Sequence, residues 1–227
     1  MSTKTLKFYQ TSVGKKAVMA LSGAVLLGFV FAHMAGNLLI FAGRDALNEY
    51  AISLRTLLGG GGIWVARLVL LSAVGAHFWS AMQLTKQNRG ARRQRYQRKA
   101  TLASTLASKT MVFGGLTILA YILFHLAHLT FGMVPNTMKE MTGGVLTYDV
   151  YESLKLSFQI PWIAAIYLIA QVFLALHLYH GAWSFLQTLG VSHPRYNEQR
   201  KRLAAAFAGV VCLGFCSVPI AVLAKIV

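Results

Sequence analysis

Length, composition and charge already exclude several classes of protein. The chain has 227 residues, of which 56% are hydrophobic and 12% charged, and its mean hydropathy is +0.55. A chain this apolar is not intrinsically disordered, and two cysteines, Cys212 and Cys216, are too few for a disulfide scaffold. The net charge of +16 would indicate nucleic acid as the partner of a soluble protein. Here the basic residues lie between apolar segments, so we expect a membrane protein with no nucleic-acid partner.

Five segments are long and apolar enough to cross about 30 Å of hydrocarbon as helices. The first is longer than the apolar part of a signal peptide and is interpreted as a retained helix. The third connection is long enough for a short surface helix around Val150 to Leu156. The predicted fold is all-α: one transmembrane bundle over residues 1–227, whose five helices cover approximately 17–41, 63–84, 110–133, 160–186 and 203–226.

The distribution of charge predicts the orientation of this bundle. The amino-terminal segment and the second and fourth connections are basic, whereas the first and third connections contain five of the six acids, Asp45, Glu49, Glu140, Asp149 and Glu152. The positive-inside rule therefore places the amino terminus in the cytoplasm and the carboxy terminus outside. The basic segments either set this topology and meet anionic lipid or also form a docking face for a cytoplasmic protein. Seven cations between Lys86 and Lys99 favour a docking face.

Six of the seven histidines lie inside the first four predicted spans, where polar side chains are costly and are functional candidates. The first or only histidine of each span lies about 14 to 17 residues after its start. Since successive helices run in opposite directions, His33 and His125 share a level nearer the outside. His77 and His177 share a level nearer the cytoplasm, about 10 Å away.

Two pairs of imidazoles at two heights can each hold a planar macrocycle between helices. An iron porphyrin with histidine on both faces has no open position and transfers electrons. The chain has no C-x-x-C-H sequence, so we expect two non-covalent b haems. Zinc is the main alternative, but no acid lies within these spans to complete a zinc site. His128 and His180 lie three residues after His125 and His177, and spacing alone does not decide which member of each pair is the ligand.

Four motifs surround these histidines in order. They are F-A-H-M-A-G-N-L at His33, G-A-H-F-W-S at His77, G-L-T-I-L-A-Y-I-L-F-H ending at His125, and H-L-Y-H-G-A-W-S-F beginning at His177. With these motifs, nearly the whole chain resembles the cytochrome b membrane-anchor subunit of succinate:quinone oxidoreductases (succinate dehydrogenase or fumarate reductase), of the five-helix, two-haem type.

The resemblance implies which histidines bind iron. In that family the third ligand follows a glycine by ten residues, as His125 follows Gly115, and the fourth is followed by a small residue and an aromatic-serine step, as His177 is here. It therefore implies His33, His77, His125 and His177 as axial ligands, with His180 a candidate for a haem propionate.

The resemblance also implies partners and a location. An iron-sulfur subunit and a flavoprotein subunit would bind the cytoplasmic face of a bacterial inner membrane, and the complex could form higher oligomers. The chain would not itself act on succinate but would carry electrons between the iron-sulfur subunit and menaquinone or another quinone. Candidate quinone residues near the outer histidine pair are His128, Glu49, Arg44, Asn37 and Arg67, because a quinone needs polar and proton-exchanging groups.

Two alternatives stay open. The chain could be the cytochrome b subunit of another membrane complex, such as a formate dehydrogenase, hydrogenase or nitrate reductase, although the spacing from Gly115 to His125 is unlike theirs. It could also be a histidine-rich metal or solute carrier without haem.

Overall fold

All regular secondary structure in the described residues is helical. A computed structural model describes residues 7–91, 106–132, 149–191 and 193–227, with side chains from residue 110 in the second of these ranges. The helices are α1 (Ser12–Asn37), α2 (Arg44–Thr56), α3 (Gly61–Gly90), α4 (Leu106–His125), α5 (Val150–Phe158), α6 (Pro161–Thr188) and α7 (Asn197–Leu223).

Five of these helices, α1, α3, α4, α6 and α7, belong to segments long and apolar enough to cross a membrane. The all-α fold and the five predicted spans are thereby confirmed, and the chain is a multi-pass membrane protein. The short helix expected around residues 150–156 is present as α5. Large apolar side chains cover the outer surface of the bundle, as lipid requires, and among them are Leu68, Leu71, Leu203 and Leu213.

The sequence analysis missed helix α2. This 13-residue helix is too short and too polar for a span, and the sequence analysis treated its residues as part of a connection. The turns before and after α2 need positive φ angles, which Gly43 and Gly60 adopt at 105° and 87°.

Helix α6 lies at the centre of the bundle and packs along α1, α4 and α7, while α1 also packs along α3 and α7. Its inward face repeats at intervals of four or seven residues through Ile163, Tyr167, Gln171 and Leu178, all buried. In the described part of the chain, α1 and α4 have no comparable backbone packing, and neither have α3 and α6. These two pairs of helices therefore face each other diagonally, across the interior.

The two ends of the bundle differ. Helices α2 and α5 pack over the end where α1 and α4 finish and α6 begins, around a core that includes Ile40, Leu47, Leu154 and Phe158. We call this the capped end. The ends of α3 and α6 and the starts of α1, α4 and α7 lie at the opposite end, which we call the basic end.

A buried carboxylate joins the two capping helices. Asp149 is 1% exposed; it forms an ion pair with Arg44 and accepts a hydrogen bond from Asn48 Nδ2 at 2.9 Å. It also caps α5 by accepting from the backbone N–H of Glu152 at 3.1 Å. Burial alone would raise the pKa of Asp149, but the hydrogen bonds from Asn48 and Glu152 and the Arg44 charge outweigh it and lower the pKa.

Replacing this carboxylate should destabilise the capped end. We expect Asp149→Asn to lower the free energy of unfolding by about 1–3 kcal/mol, because the ion pair and the charged hydrogen bonds are lost. A depressed folded-state pKa means that the stabilisation is complete above about pH 4 and is lost as pH falls through the folded pKa. The difference in Tm between the native chain and the variant should therefore shrink below about pH 4.

The measurement is thermal unfolding in detergent at several pH values. Asp45→Asn is the matched control, because Asp45 is an exposed acid in the first turn of α2. Equal Tm losses in the two variants would contradict a specific role for Asp149.

Candidate functional site: two histidine pairs across the bundle

Four histidines form two pairs across the interior. His33 of α1 lies against His125 of α4, with ring centroids 5.9 Å apart and ring planes at 83°. His77 of α3 lies against His177 of α6, with centroids 6.0 Å apart and planes at 63°. We call His33 and His125 the capped-end pair, and His77 and His177 the basic-end pair. Each pair joins helices that face each other diagonally.

The basic-end pair is oriented by the backbone of α1. His77 Nδ1–H donates to the carbonyl oxygen of Met19 at 3.2 Å, so that Nε2 carries the lone pair. A Cβ on Gly23 would lie 3.3 Å from Cε1 of His77, and one on Gly115 would lie 3.6 Å from Cε1 of His177. Gly23 therefore leaves room for the His77 ring, whereas a Cβ at Gly115 would make an ordinary van der Waals contact with His177.

The capped-end pair is surrounded by aromatic rings. His33 stacks on Phe29 of the preceding turn at 5.2 Å and also contacts Phe215 of α7. His125 Nδ1 lies 3.2 Å from the hydroxyl of Tyr167 on α6. The same hydroxyl lies 2.9 Å from Nδ1 of His128, which is fully buried.

Three helices give the same spacing between the two pairs. Gly23 lies against the basic-end pair and His33 belongs to the capped-end pair, ten residues later on α1. The same interval separates Gly115 from His125 on α4 and Tyr167 from His177 on α6. Ten residues correspond to about 15 Å of helix. The three intervals agree that the two pairs lie at two separate levels of the bundle.

The separation of the rings in each pair is compatible with two imidazoles that would hold one metal macrocycle between them. Two metal–nitrogen bonds of about 2.0 Å, with about 1.1 Å from each nitrogen to its ring centroid, separate the centroids by about 6 Å. Each imidazole can turn about its bond to the metal, so ring angles of 83° and 63° are both compatible.

A tetrahedral metal fits less well. Zinc needs three or four protein ligands, and no group of three His, Cys, Asp or Glu side chains converges anywhere in the described ranges. Two imidazoles suit a metal whose other four ligands come from a porphyrin. The residues present therefore fit haem at both levels.

The other predicted site residues lie outside the two pairs. Asn37 donates to the backbone carbonyl of His33 at 2.7 Å, and Arg44 forms the ion pair with Asp149. Arg67 is exposed, with its guanidinium 4.7 Å from the Trp64 ring, and Glu49 is exposed on α2. Thus Glu49 and Asn37 flank the capped end, while Arg44 has a structural contact.

At the basic end, His180 lies one turn beyond His177, with its ring 6.1 Å from that of Trp183. Both His180 Nδ1 and Trp183 Nε1 are buried without a hydrogen-bond partner in the described part of the chain. Lys201 also contacts Trp183, with its Nζ 5.5 Å from the centroid of the Trp183 ring. Most of the cations predicted as a docking face, from Arg92 to Lys99, lie outside the described residues, as does Glu140.

The sequence analysis missed Tyr167 and Met19. A single tyrosine in an apolar span and the carbonyl group of a methionine carry no distinguishing signal in a sequence. Both contacts join helices far apart along the chain, and only the packing of those helices brings them together.

Comparison with known protein families, with curated protein sequences and with solved structures finds no match to this chain.

Proposed function

We propose that the chain is a membrane-embedded cytochrome b with one haem between His33 and His125 and another between His77 and His177. The observation that carries this proposal is the two imidazole pairs, with centroids 5.9 and 6.0 Å apart, inside one apolar bundle. Bound between two histidines, haem supplies one-electron transfer and leaves no coordination position for oxygen or substrate.

The chain's own residues orient the ligands and exclude water. Met19 and Tyr167 fix the rings of His77 and His125 through Nδ1, which leaves Nε2 for the metal. The packed apolar helices, α6 and α7 among them, surround both histidine pairs.

We further propose that this cytochrome is the anchor subunit of a succinate dehydrogenase or fumarate reductase complex. Support comes from the four motifs in order and from the spacing of Gly115 and His125. Gly115 lies against His177, so this ten-residue interval spans the distance between the two histidine pairs. A glycine at that spacing therefore has a physical role in a two-haem bundle.

The charge distribution supports a direction across the membrane. With the basic end in the cytoplasm, the amino terminus is cytoplasmic and the carboxy terminus, after α7, is outside. The exposed cations Lys86 and Arg89 would then belong to the face that binds the iron-sulfur subunit, which in turn binds the flavoprotein. The membrane would be the bacterial inner membrane.

Quinone would meet the chain at the capped end. His128 is buried beside His125, and Glu49 is exposed on the capping helix α2. These two side chains are the candidates for exchanging protons with a quinone, because histidines and carboxylates commonly act as general acids and bases.

The first test is the haem content of the full chain. An optical spectrum of the purified protein, oxidised and dithionite-reduced, with a pyridine haemochrome count, should give about two low-spin b haems per chain. Replacing His77 or His177 by leucine should remove one haem, and replacing His33 or His125 should remove the other, because each haem needs both of its ligands.

His193→Leu is the matched control, since His193 is exposed at the α6–α7 connection and contacts Tyr196. It should retain both haems. Reduction of the haems by succinate in native membranes would support the anchor subunit, whereas reduction by formate or hydrogen alone would favour another oxidoreductase. A chain without a haem band would leave a metal or solute carrier as the better hypothesis.

A second test concerns the close approach of Gly23 to the basic-end pair. We expect Gly23→Leu to reduce the haem content from about two to about one per chain, because the new side chain would occupy the position of the His77 ring. Gly28→Leu is the control on the same helix, since a Cβ at Gly28 meets nothing within 4 Å. Two haems in Gly23→Leu would show that this glycine does not shape the site.

A further inference from the structure

The hydroxyl of Tyr167 lies between two imidazoles at the capped end. Its oxygen is 3.2 Å from His125 Nδ1 and 2.9 Å from His128 Nδ1. The tyrosine is 6% exposed and packs against Phe158, with ring centroids 4.9 Å apart, in the core beneath the capping helices. Its position is therefore set by packing that does not depend on either histidine.

A phenol has one hydrogen to donate, so Tyr167 cannot donate to both histidines. If His125 binds a metal through Nε2, its Nδ1 carries a hydrogen and must donate to the Tyr167 oxygen. The Tyr167 hydrogen is then directed to His128 Nδ1. The three side chains form a hydrogen-bonded chain with one direction, from His125 through Tyr167 to His128.

The end of helix α4 is shaped to allow both contacts. Residues Leu126–Thr130 form a π-helical turn, in which the N–H of Phe131 donates to the carbonyl of Leu126 at 2.9 Å. Such turns are rare in proteins, and those that occur are often found at functional sites. This turn contains His128 and follows His125 directly, and both rings contact the ring of Tyr167, with centroids 5.9 and 5.7 Å away.

The basic-end pair is held differently. His77 donates to a backbone carbonyl, that of Met19, which also accepts from Ser22 Oγ at 3.2 Å and has no hydrogen of its own to donate. A hydroxyl that donates while it accepts is a more polarised acceptor, because hydrogen bonds in a chain strengthen one another. A stronger acceptor at Nδ1 makes an imidazole a more basic ligand.

We propose that Tyr167 is a positioning residue that, together with His128, makes His125 a stronger ligand and lowers the reduction potential of the capped-end haem. This inference rests on the proposed function. A more basic axial ligand stabilises the oxidised iron relative to the reduced iron, so the hydroxyl of Tyr167 lowers the potential. His128 acts through Tyr167 and does not itself bind iron.

The experiment is a redox titration of the full chain, followed by haem absorbance, in the native chain and in Tyr167→Phe. Phenylalanine keeps the ring and its packing and removes only the hydroxyl. The titration wave of the capped-end haem is the one that His125→Leu eliminates. That wave should shift to higher potential in Tyr167→Phe, with the other wave unchanged and both haems retained. His128→Leu should shift the same wave in the same direction by less.

Tyr121→Phe is the matched control. The ring of Tyr121 also lies 5.9 Å from that of His125, but its hydroxyl accepts from Gln171 Nε2 at 3.4 Å. An equal shift in Tyr121→Phe would assign the effect to general packing and overturn the proposal. An unchanged potential of the capped-end wave in both Tyr167→Phe and His128→Leu would also overturn the proposal.

Haem content separates the remaining outcomes. If Tyr167→Phe loses one haem, the potential of the capped-end wave in His128→Leu decides the outcome. A shift to higher potential supports the hydrogen-bonded chain, and no shift overturns it. Loss of one haem from His128→Leu would assign the iron to His128 and overturn the proposal. Absence of haem from the native chain would instead defeat the proposed function itself.

Discussion

A polar side chain inside a lipid-embedded bundle must find its partner within the protein, and this requirement governs the interior of this chain. Four imidazoles meet in two pairs, and a carbonyl group or a hydroxyl holds one member of each pair. Backbone donors and acceptors are already paired within the helices, so side chains supply most of the remaining polar contacts. Helix α6 is central because it carries His177, Tyr167 and Gln171 on its buried side and meets three other spans.

The histidine pairs and the glycines together account for the spacing of the bundle. Helices that face each other diagonally keep their backbones apart, and a pair of imidazoles bridges each diagonal. Beside the basic-end pair, α1 passes His77 at Gly23 and α4 passes His177 at Gly115. Larger residues at these positions would compete with the ring for the same volume, so small residues on α1 and α4 accompany the histidines on α3 and α6.

The two ends of the bundle have different chemistry. At the capped end, α2 and α5 cover an apolar core, and a buried carboxylate ties them together through Arg44 and Asn48. At the basic end, cations lie on the described ends of the helices, among them Lys15 and Lys16 of α1, Lys86 and Arg89 of α3, and Lys201 and Arg202 of α7. Under the proposed function, the chain would meet a lipid-soluble quinone at the capped end and a protein at the basic end. The proposed passage of electrons between an iron-sulfur subunit and a quinone uses this asymmetry.

The sequence by itself determined the membrane class, the all-helical fold and the five spans. These are local properties: hydropathy over about 20 residues is sufficient for a span, and a fixed rise per residue places each histidine at a depth. For that reason the expectation that His33 shares a level with His125, and His77 with His177, needed only counting.

Only the tertiary structure decided which rings face each other, how Tyr167 joins His125 to His128, and that Asp149 clamps α2 to α5. The helix α2 itself, too polar for a span, was also absent from the sequence reading. Each of these features depends on the rotation of a helix about its axis and on contacts between residues far apart along the chain. Hydropathy leaves that rotation undefined in helices that are apolar on all sides, and packing fixes it.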